Sequence, residues 1–331
     1  MNPLDELVAQ LRAGRGFAHK RDIGDALGTL ARALPGGAAD LAQAVAVGDD
    51  CAAIPDGDGY LLFAIEGFVD DFVQARPWFA GWSGVMVNLS DIAAMGGRPL
   101  AVVDALWSRD GPQGEPVLQG LAAASAAYGV PLVGGHTNHR SERNGLAVAV
   151  LGRAQRLLSS FNAQPGDRLL MAVDLRGAYE EPHPFWNATT GAPSARLRGD
   201  LALLPGLAEA GLCDAAKDIS MAGALGTAVM LLEASQVGAV IDLDAVPRPG
   251  GVPLLRWLQS FPSFGFLLSV RPSHAATVAA RFAARGIACA DIGQVRADTP
   301  VLLRQGAAQA ELWDVARETF IAPRVPEVDH A

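Results

Sequence analysis

Four short acidic stretches punctuate this chain: GDD at 48–50, EGFVDD at 66–71, VNLSDIAAMGGRP at 87–99 and KDIS at 217–220. Between the last two stands GGHTNH at 134–139, a glycine pair directly after the apolar run VPLV. Magnesium prefers octahedral oxygen ligation and is usually held by a few carboxylates plus the phosphates of a substrate. Glycine at a strand end lets backbone N–H groups approach a phosphate that a side chain would hold off. Carboxylates dispersed over several elements, with a glycine pair among them, therefore suggest a metal–nucleotide site. Each acid alone has a plainer reading: Asp49 or Asp50 as a turn or cap residue, Asp91 as an exposed helix position, Asp218 as a turn former. Asn88, Asp91 and Met95 recur at i, i+3 and i+7, so one helix face carries an amide and a carboxylate beside a thioether.

The elements that must position these groups can be read from periodicity. Residues 4–11 and 24–34 have helical spacing, and AQAVAVGDDCAAI and YLLFAIEGFV read as strands joined by the turn DGDG at 56–59. A helix over 82–95, a strand over 99–107 and an Ala-rich helix over 115–128 follow, then the strands VPLVGG and GLAVAVLGRA. A Pro-Gly turn in QPGDRLLMAV opens a new strand, which divides the chain into 1–158 and 159–331. The second part alternates strands and helices through KDISMAGALG, VGAVIDLDAVP, FGFLLSV, HAATVAARFAARG, IACADIGQV and PVLLRQG. Such mixing implies α/β (α+β) layers, with helices covering one sheet face in each half. The polar stretch 176–196 is too long for a plain connection and reads as a substrate cover or a mobile surface segment.

Composition narrows the function classes. The net charge of −9 comes from scattered acids and offers no concentrated basic face, which disfavours nucleic acid as a partner. No run of about 18 apolar residues suggests a membrane span, and MNPLDELVAQL has the wrong character for a secretory leader. Three cysteines, Cys51, Cys213 and Cys289, lie far apart without metal-site spacing, so a reducing cytoplasm fits. Of 26 basic residues only Lys20 and Lys217 are lysine. In an arginine-rich chain a surviving lysine can mark a need for a compact ammonium.

In order, GDDCAAI, AIEGFVDD, VNLSDIAAMGGRP, GGHT and DISMAGALG resemble the superfamily of aminoimidazole ribonucleotide synthetase, selenophosphate synthetase, thiamine-monophosphate kinase and the hydrogenase-maturation carbamoyl dehydratase. The resemblance runs from Lys20 to about Val295, and VNLSDIAAMGGRP is its most specific element. It implies the two-domain PurM-like fold: an N-terminal domain that pairs with a second copy in a dimeric β-barrel, and a C-terminal α/β domain. It also implies ATP and Mg²⁺ as cofactors, with Asp50, Asp91 and Asp218 matching the metal aspartates. Glu66 falls where relatives carry an aspartate, and implies a metal or nucleotide contact with longer reach. Asn88, Gly134, Gly135, His136 and Thr137 match nucleotide-contacting positions. Lys20, in GRGFAHKRD, resembles the catalytic lysine of a flexible loop that folds over ATP.

The named activities fit less well. Phe17 stands where selenophosphate synthetase has cysteine or selenocysteine, and Met221 replaces the second acid of the thiamine kinases' DISDGL. The chain ends APRVPEVDHA, without the terminal cysteine that the carbamoyl dehydratase uses as its nucleophile. The resemblance then implies an AIR synthase-related protein: a Mg-ATP-dependent enzyme, with Asp91 and Lys20 expected at the chemistry, that phosphorylates or activates a small acceptor. A nucleotide-binding maturation or regulatory subunit without catalysis is the alternative.

Overall fold

The computed structural model describes residues 3–33 and 47–322. Residue 34 of the second expected helix, the expected strand before residue 47 and the tail beyond Ala322 lie outside them. The described residues form two compact units that interleave along the chain. The smaller is Asp50–Leu157 plus Thr189–Ala210; the larger draws on Met1–Asp49, Leu158–Ala188 and Gly211–Ala331. A single division at 158/159 thus describes one of four crossings.

In the smaller unit β1 (Ala52–Asp56), β2 (Gly59–Phe68), β3 (Arg98–Trp107), β4 (Leu132–Asn138) and β5 (Gly145–Ala154) form a sheet ordered β1-β2-β5-β3-β4. The helices of this unit are α3 (Asp70–Ala75), α4 (Pro77–Ala94), α5 (Gly111–Tyr128), α6 (Ser194–Leu201) and α7 (Leu203–Glu209). Residues 57–58 close the β1–β2 hairpin with Asp56 opposite Gly59, as the DGDG motif leads one to expect. Every residue of helix α4 from Phe79 to Ala94 is buried, Asn88 and Asp91 included, the mark of a central helix. It meets α5 through glycines: a Cβ on Gly120 would stand 1.9 Å from the Trp78 carbonyl oxygen, and one on Gly81 2.0 Å from that of Val117.

One face of this sheet is covered by α4 through Leu62, Val148 and Val150, all fully buried. The other face is apolar and open. Register places Phe63 opposite Leu151, Ile65 opposite Ala149, and Ala149 opposite Val103, and Phe63, Ile65, Val103, Trp107 and Leu151 are all exposed.

The larger unit starts with α1 (Pro3–Ala13) and α2 (Arg15–Ala33). Its main strands are β6 (Arg168–Val173), β9 (Ala215–Asp218), β10 (Gly238–Asp242), β12 (Gly265–Val270), β13 (Ala288–Arg296), β14 (Pro300–Gln305) and β15 (Ala308–Asp314). They form a mixed sheet ordered β15-β14-β10-β13-β6-β12-β9. Its helices α8 (Gly223–Ser235), α9 (Leu254–Leu258) and α10 (Pro272–Ala283) complete the layers. The segment GRGFAHKRD, expected as a flexible loop, is helical within α2 from Arg15 onward. Phe17 is the reason: it is buried with ring centroids 5.1 Å from Phe320 and 6.3 Å from Trp313. The stretch 176–196 is likewise built rather than irregular, since β7 (Ala178–Tyr179) and β8 (Phe185–Asn187) form a small sheet with β11 (Phe261–Pro262). Trp186 anchors it in the core, stacked edge-on against Tyr179 and Trp257.

Glu233, at the end of α8, is buried and its carboxylate accepts backbone N–H bonds from Phe320 at 2.5 Å, Ile321 at 2.8 Å and Ala322 at 3.2 Å. Glu233→Gln is expected to cost about 1.5–3 kcal/mol in chemical denaturation, because bonds to a charged acceptor become neutral ones and the amide N–H₂ faces donors.

Candidate metal–nucleotide site

In the smaller unit Asp50 precedes β1, and Asp91 sits on the last turns of α4. Although 41 positions separate them, they present carboxylate oxygens within 4.8 Å of one another. Asp91 is only 6% exposed and Asp50 is half-buried. Magnesium–oxygen bonds of 2.0–2.1 Å put opposite ligands roughly 4 Å apart, so this pair needs only a small closure to share one ion, and its all-oxygen donors suit a hard cation. Asn88, one turn earlier, is fully buried. Its Nδ2 donates to the Gly84 carbonyl at 2.7 Å, and its Oδ1 has no hydrogen-bond partner among the described residues.

Strand alternation sorts the remaining positions. Glu66 follows Leu62 and Ala64 on the helix-covered face of β2, yet is itself exposed. It pairs with Val148, and Val148 with Asp104, so the two acids flank one valine in a row across the sheet. The GGHT motif differs from expectation. It is part of β4, an edge strand that is exposed along Gly134–Asn138, with no buried strand before it: Val133 is itself exposed. Gly135 pairs with Asp104 and Thr137 with Leu106, on the acid-bearing face. Gly134 and His136 pair with Val103 and Ala105 and face the open apolar side. His139 is held elsewhere, with Nδ1 2.7 Å from the Ser108 hydroxyl.

Asp104 went unnoticed in the sequence. The available signal was an acid at an inward position of PLAVVDALW, where alternation calls for the apolar character of Val102 and Leu106. Asp104 is 9% exposed, and its Oδ2 has no hydrogen-bond partner among the described residues. Gly135 makes room for it, since a Cβ there would lie 2.4 Å from the Asp104 Oδ1. Burial raises the Asp104 carboxyl above the ordinary aspartate range. Folding therefore favours its protonated form; that contribution is complete below the unfolded value, near pH 4, and is lost as pH rises through the folded one. Asp104→Asn, which cannot ionise, is expected to melt above the wild type at pH 8, with the gain shrinking toward pH 4, in thermal scans at the two pH values.

In the larger unit Asp218 ends β9, all four residues of which are buried. Lys217 before it is 4% exposed, with Nζ 3.9 Å from Asp49 Oδ1. Asp49 also accepts from Ser159 Oγ at 2.8 Å, the Ser160 backbone N–H at 2.9 Å and Ser160 Oγ at 2.6 Å. Lys20 is half-buried on α2, and Met221, in the position of the missing acid, is exposed. Burial pushes the Cys213 and Cys289 thiols up to about 12, so neither is a thiolate at neutral pH. Among the described residues no helix is long and apolar enough to cross a membrane.

Comparison with known proteins places this chain among relatives. Residues 48–154 match the family model described as AIR synthase related protein, N-terminal domain, and residues 193–303 match its C-terminal counterpart. The chain is 47% identical over 313 residues to an uncharacterized protein of Synechocystis, covering 94% of this chain and 96% of that one. It is 33% identical to a thiamine-monophosphate kinase of Pyrococcus horikoshii over 61% of this chain and 68% of the kinase. Among solved structures, Thermotoga maritima PurL complexed with ATP superposes with a TM-score of 0.71 at 20% identity, over 84% of this chain. That likeness speaks to the fold, and the chain spans about half of PurL's length, 47%.

Proposed function

The chain belongs to the AIR synthase-related family, and from that premise we propose that it is a Mg-ATP-dependent enzyme that passes the γ-phosphoryl group to a small acceptor. The observation that carries this reading is the Asp50–Asp91 pair: two carboxylates brought from distant points of the chain to within 4.8 Å, one of them buried. Like charges so placed repel, and a divalent cation converts the repulsion into binding. The named relatives include a kinase, and PurL is known with ATP bound.

In this reading Asp50, Asp91 and Asp218 hold Mg²⁺, with Glu66 assisting at longer reach. Asp218 is included because DISMAGALG matches the motif that carries the family's second-domain metal aspartate. When bound, the ion neutralises charge on the phosphates and orients them. Asn88 and the backbone and hydroxyl of the Gly134–Thr137 stretch contact the nucleotide. His136 contributes through its backbone, since its side chain faces the other way. Lys20 supplies an ammonium to the transferring group, from a helix instead of a loop. The acceptor atom forms the new bond to the γ-phosphorus, the bond to the β-bridging oxygen breaks, and ADP leaves.

Calorimetric titration with Mg·AMP-PNP tests the reading: saturable binding is expected, and none at millimolar nucleotide would overturn it. The alternative, nucleotide binding without catalysis, is favoured by the exposed Met221 where a metal acid stands in the thiamine kinases. A phosphorylated product found in a metabolite mixture excludes it; slow ATP hydrolysis that no metabolite stimulates supports it.

The open face of the smaller unit's sheet supports a homodimer, because exposed apolar patches of this extent mark association surfaces. Light scattering is expected to give twice the chain mass, and Ile65→Glu, at a residue 65% exposed in one copy, to give the monomer. The setting proposed for this activity is the cytoplasm.

A further inference from the structure

A cavity of about 210 Å³ lies in the smaller unit, where the end of β3 meets the start of α4 and the first turns of α5. Val73, Pro77, Leu106 and Val117 wall it, and the Trp107 indole stands beside it. None of its lining side chains is charged, in a chain with a net charge of −9. Its polar groups are amides and one hydroxyl, among them Gln113 and Asn144. Asn144 is fixed by its backbone N–H, which donates to Asp70 Oδ1 at 2.9 Å. Its side-chain Oδ1 is buried and has no hydrogen-bond partner among the described residues.

These features define a ligand class. Uncharged walls exclude phosphates and ammonium groups, which would lose their solvation without compensation. An apolar lining that includes one indole favours a ring. A buried amide oxygen calls for an N–H donor. The volume falls below the roughly 300–1,000 Å³ of pockets that enclose whole drug-sized ligands, so the cavity takes one ring system of a larger molecule. Its position says where the rest would lie. Leu106 follows Asp104 on the same face of β3, one pleat of about 7 Å away, in the row next to the one that runs from Asp104 through Val148 to Glu66.

We propose that this cavity binds an uncharged nitrogen heterocycle through an N–H to Asn144 Oδ1, on a molecule whose charged end reaches the carboxylates. The second half of that statement rests on the nucleotide reading above. The ring belongs either to the nucleotide base or to the acceptor.

The test measures binding of adenosine, 4-aminopyrimidine, imidazole and Mg·AMP-PNP to the full chain, by ligand-observed NMR and calorimetry. Wild type and the variants Asn144→Leu and Gln113→Trp are compared. Gln113 is exposed, so the second variant blocks the rim without entering the core and serves if the first fails to fold. At least one free heterocycle is expected to bind the wild type, and both variants to weaken it tenfold or more. If the base is the occupant, adenosine binds and Mg·AMP-PNP weakens in parallel. If the acceptor ring is, a monocycle binds and Mg·AMP-PNP is unchanged. Normal Mg·AMP-PNP binding with no heterocycle bound, or with heterocycle affinities unmoved by both variants, overturns the inference. Failure of Mg·AMP-PNP alone overturns the nucleotide reading and leaves the cavity to be judged on the free heterocycles.

Discussion

Asp91→Asn is expected to lower nucleotide turnover by roughly three orders of magnitude, about 4 kcal/mol of barrier, while leaving the protein folded. The substitution is isosteric, and the buried position on α4 has room for an amide wherever it holds a carboxylate. What changes is one unit of charge beside Asp50. Removing it relieves repulsion between the two carboxylates, so the melting temperature in metal-free buffer should hold or rise, whereas phosphoryl transfer depends on electrostatics placed where charge develops. Steady-state ADP release and a thermal melt, run on the same preparation, separate the two. Unchanged turnover would remove Asp91 from the site, and a collapsed melt would return it to a packing role.

Lys217→Met should act in the opposite way, on stability first. Lys217 and Asp49 have side chains only 4% and 2% exposed, and truncating one member of a buried pair strands the other charge at a cost of about 3–5 kcal/mol. The hydrogen bonds from Ser159 and Ser160 hold Asp49 in place, so the carboxylate cannot swing out to water. Guanidinium denaturation should show a lower midpoint with unchanged slope. The double variant Lys217→Met, Asp49→Leu should recover part of the loss, the coupling that a double-mutant cycle measures. Additive losses would mean that the two residues do not act as a pair.

Much of this was legible from periodicity and motif order. The helical spacing over 82–95 marked α4, although its amphipathic look gave no sign that the helix is buried on every side. The DGDG turn set the first hairpin. Local pattern failed where a distant partner decides. Two glycines make GRGFAHKRD look like a loop, but Phe17 finds Trp313 and Phe320 some 300 residues later. VPLV reads as a buried strand, yet β4 lies at the edge of the sheet and is exposed from Val133 to Asn138, and apolar content cannot reveal which strand lies at an edge. The 176–196 stretch has loop composition, but Trp186 fastens it. Asp104 was hidden because an acid within a strand looks like an outward residue until register fixes its face.

The return of Thr189–Ala210 to the smaller unit has a consequence for how the molecule is made. Trp82 Nε1 donates to Thr189 Oγ1 at 3.0 Å, Arg98 pairs with Glu209, and Arg198 caps the carbonyls of Ala126 and Ala127. During vectorial synthesis the sheet and α4 emerge well before the residues that close over them. Apolar helix surface must therefore wait for chain still inside the ribosome, and a gene fragment cut near residue 158 would encode a protein lacking its own stitching.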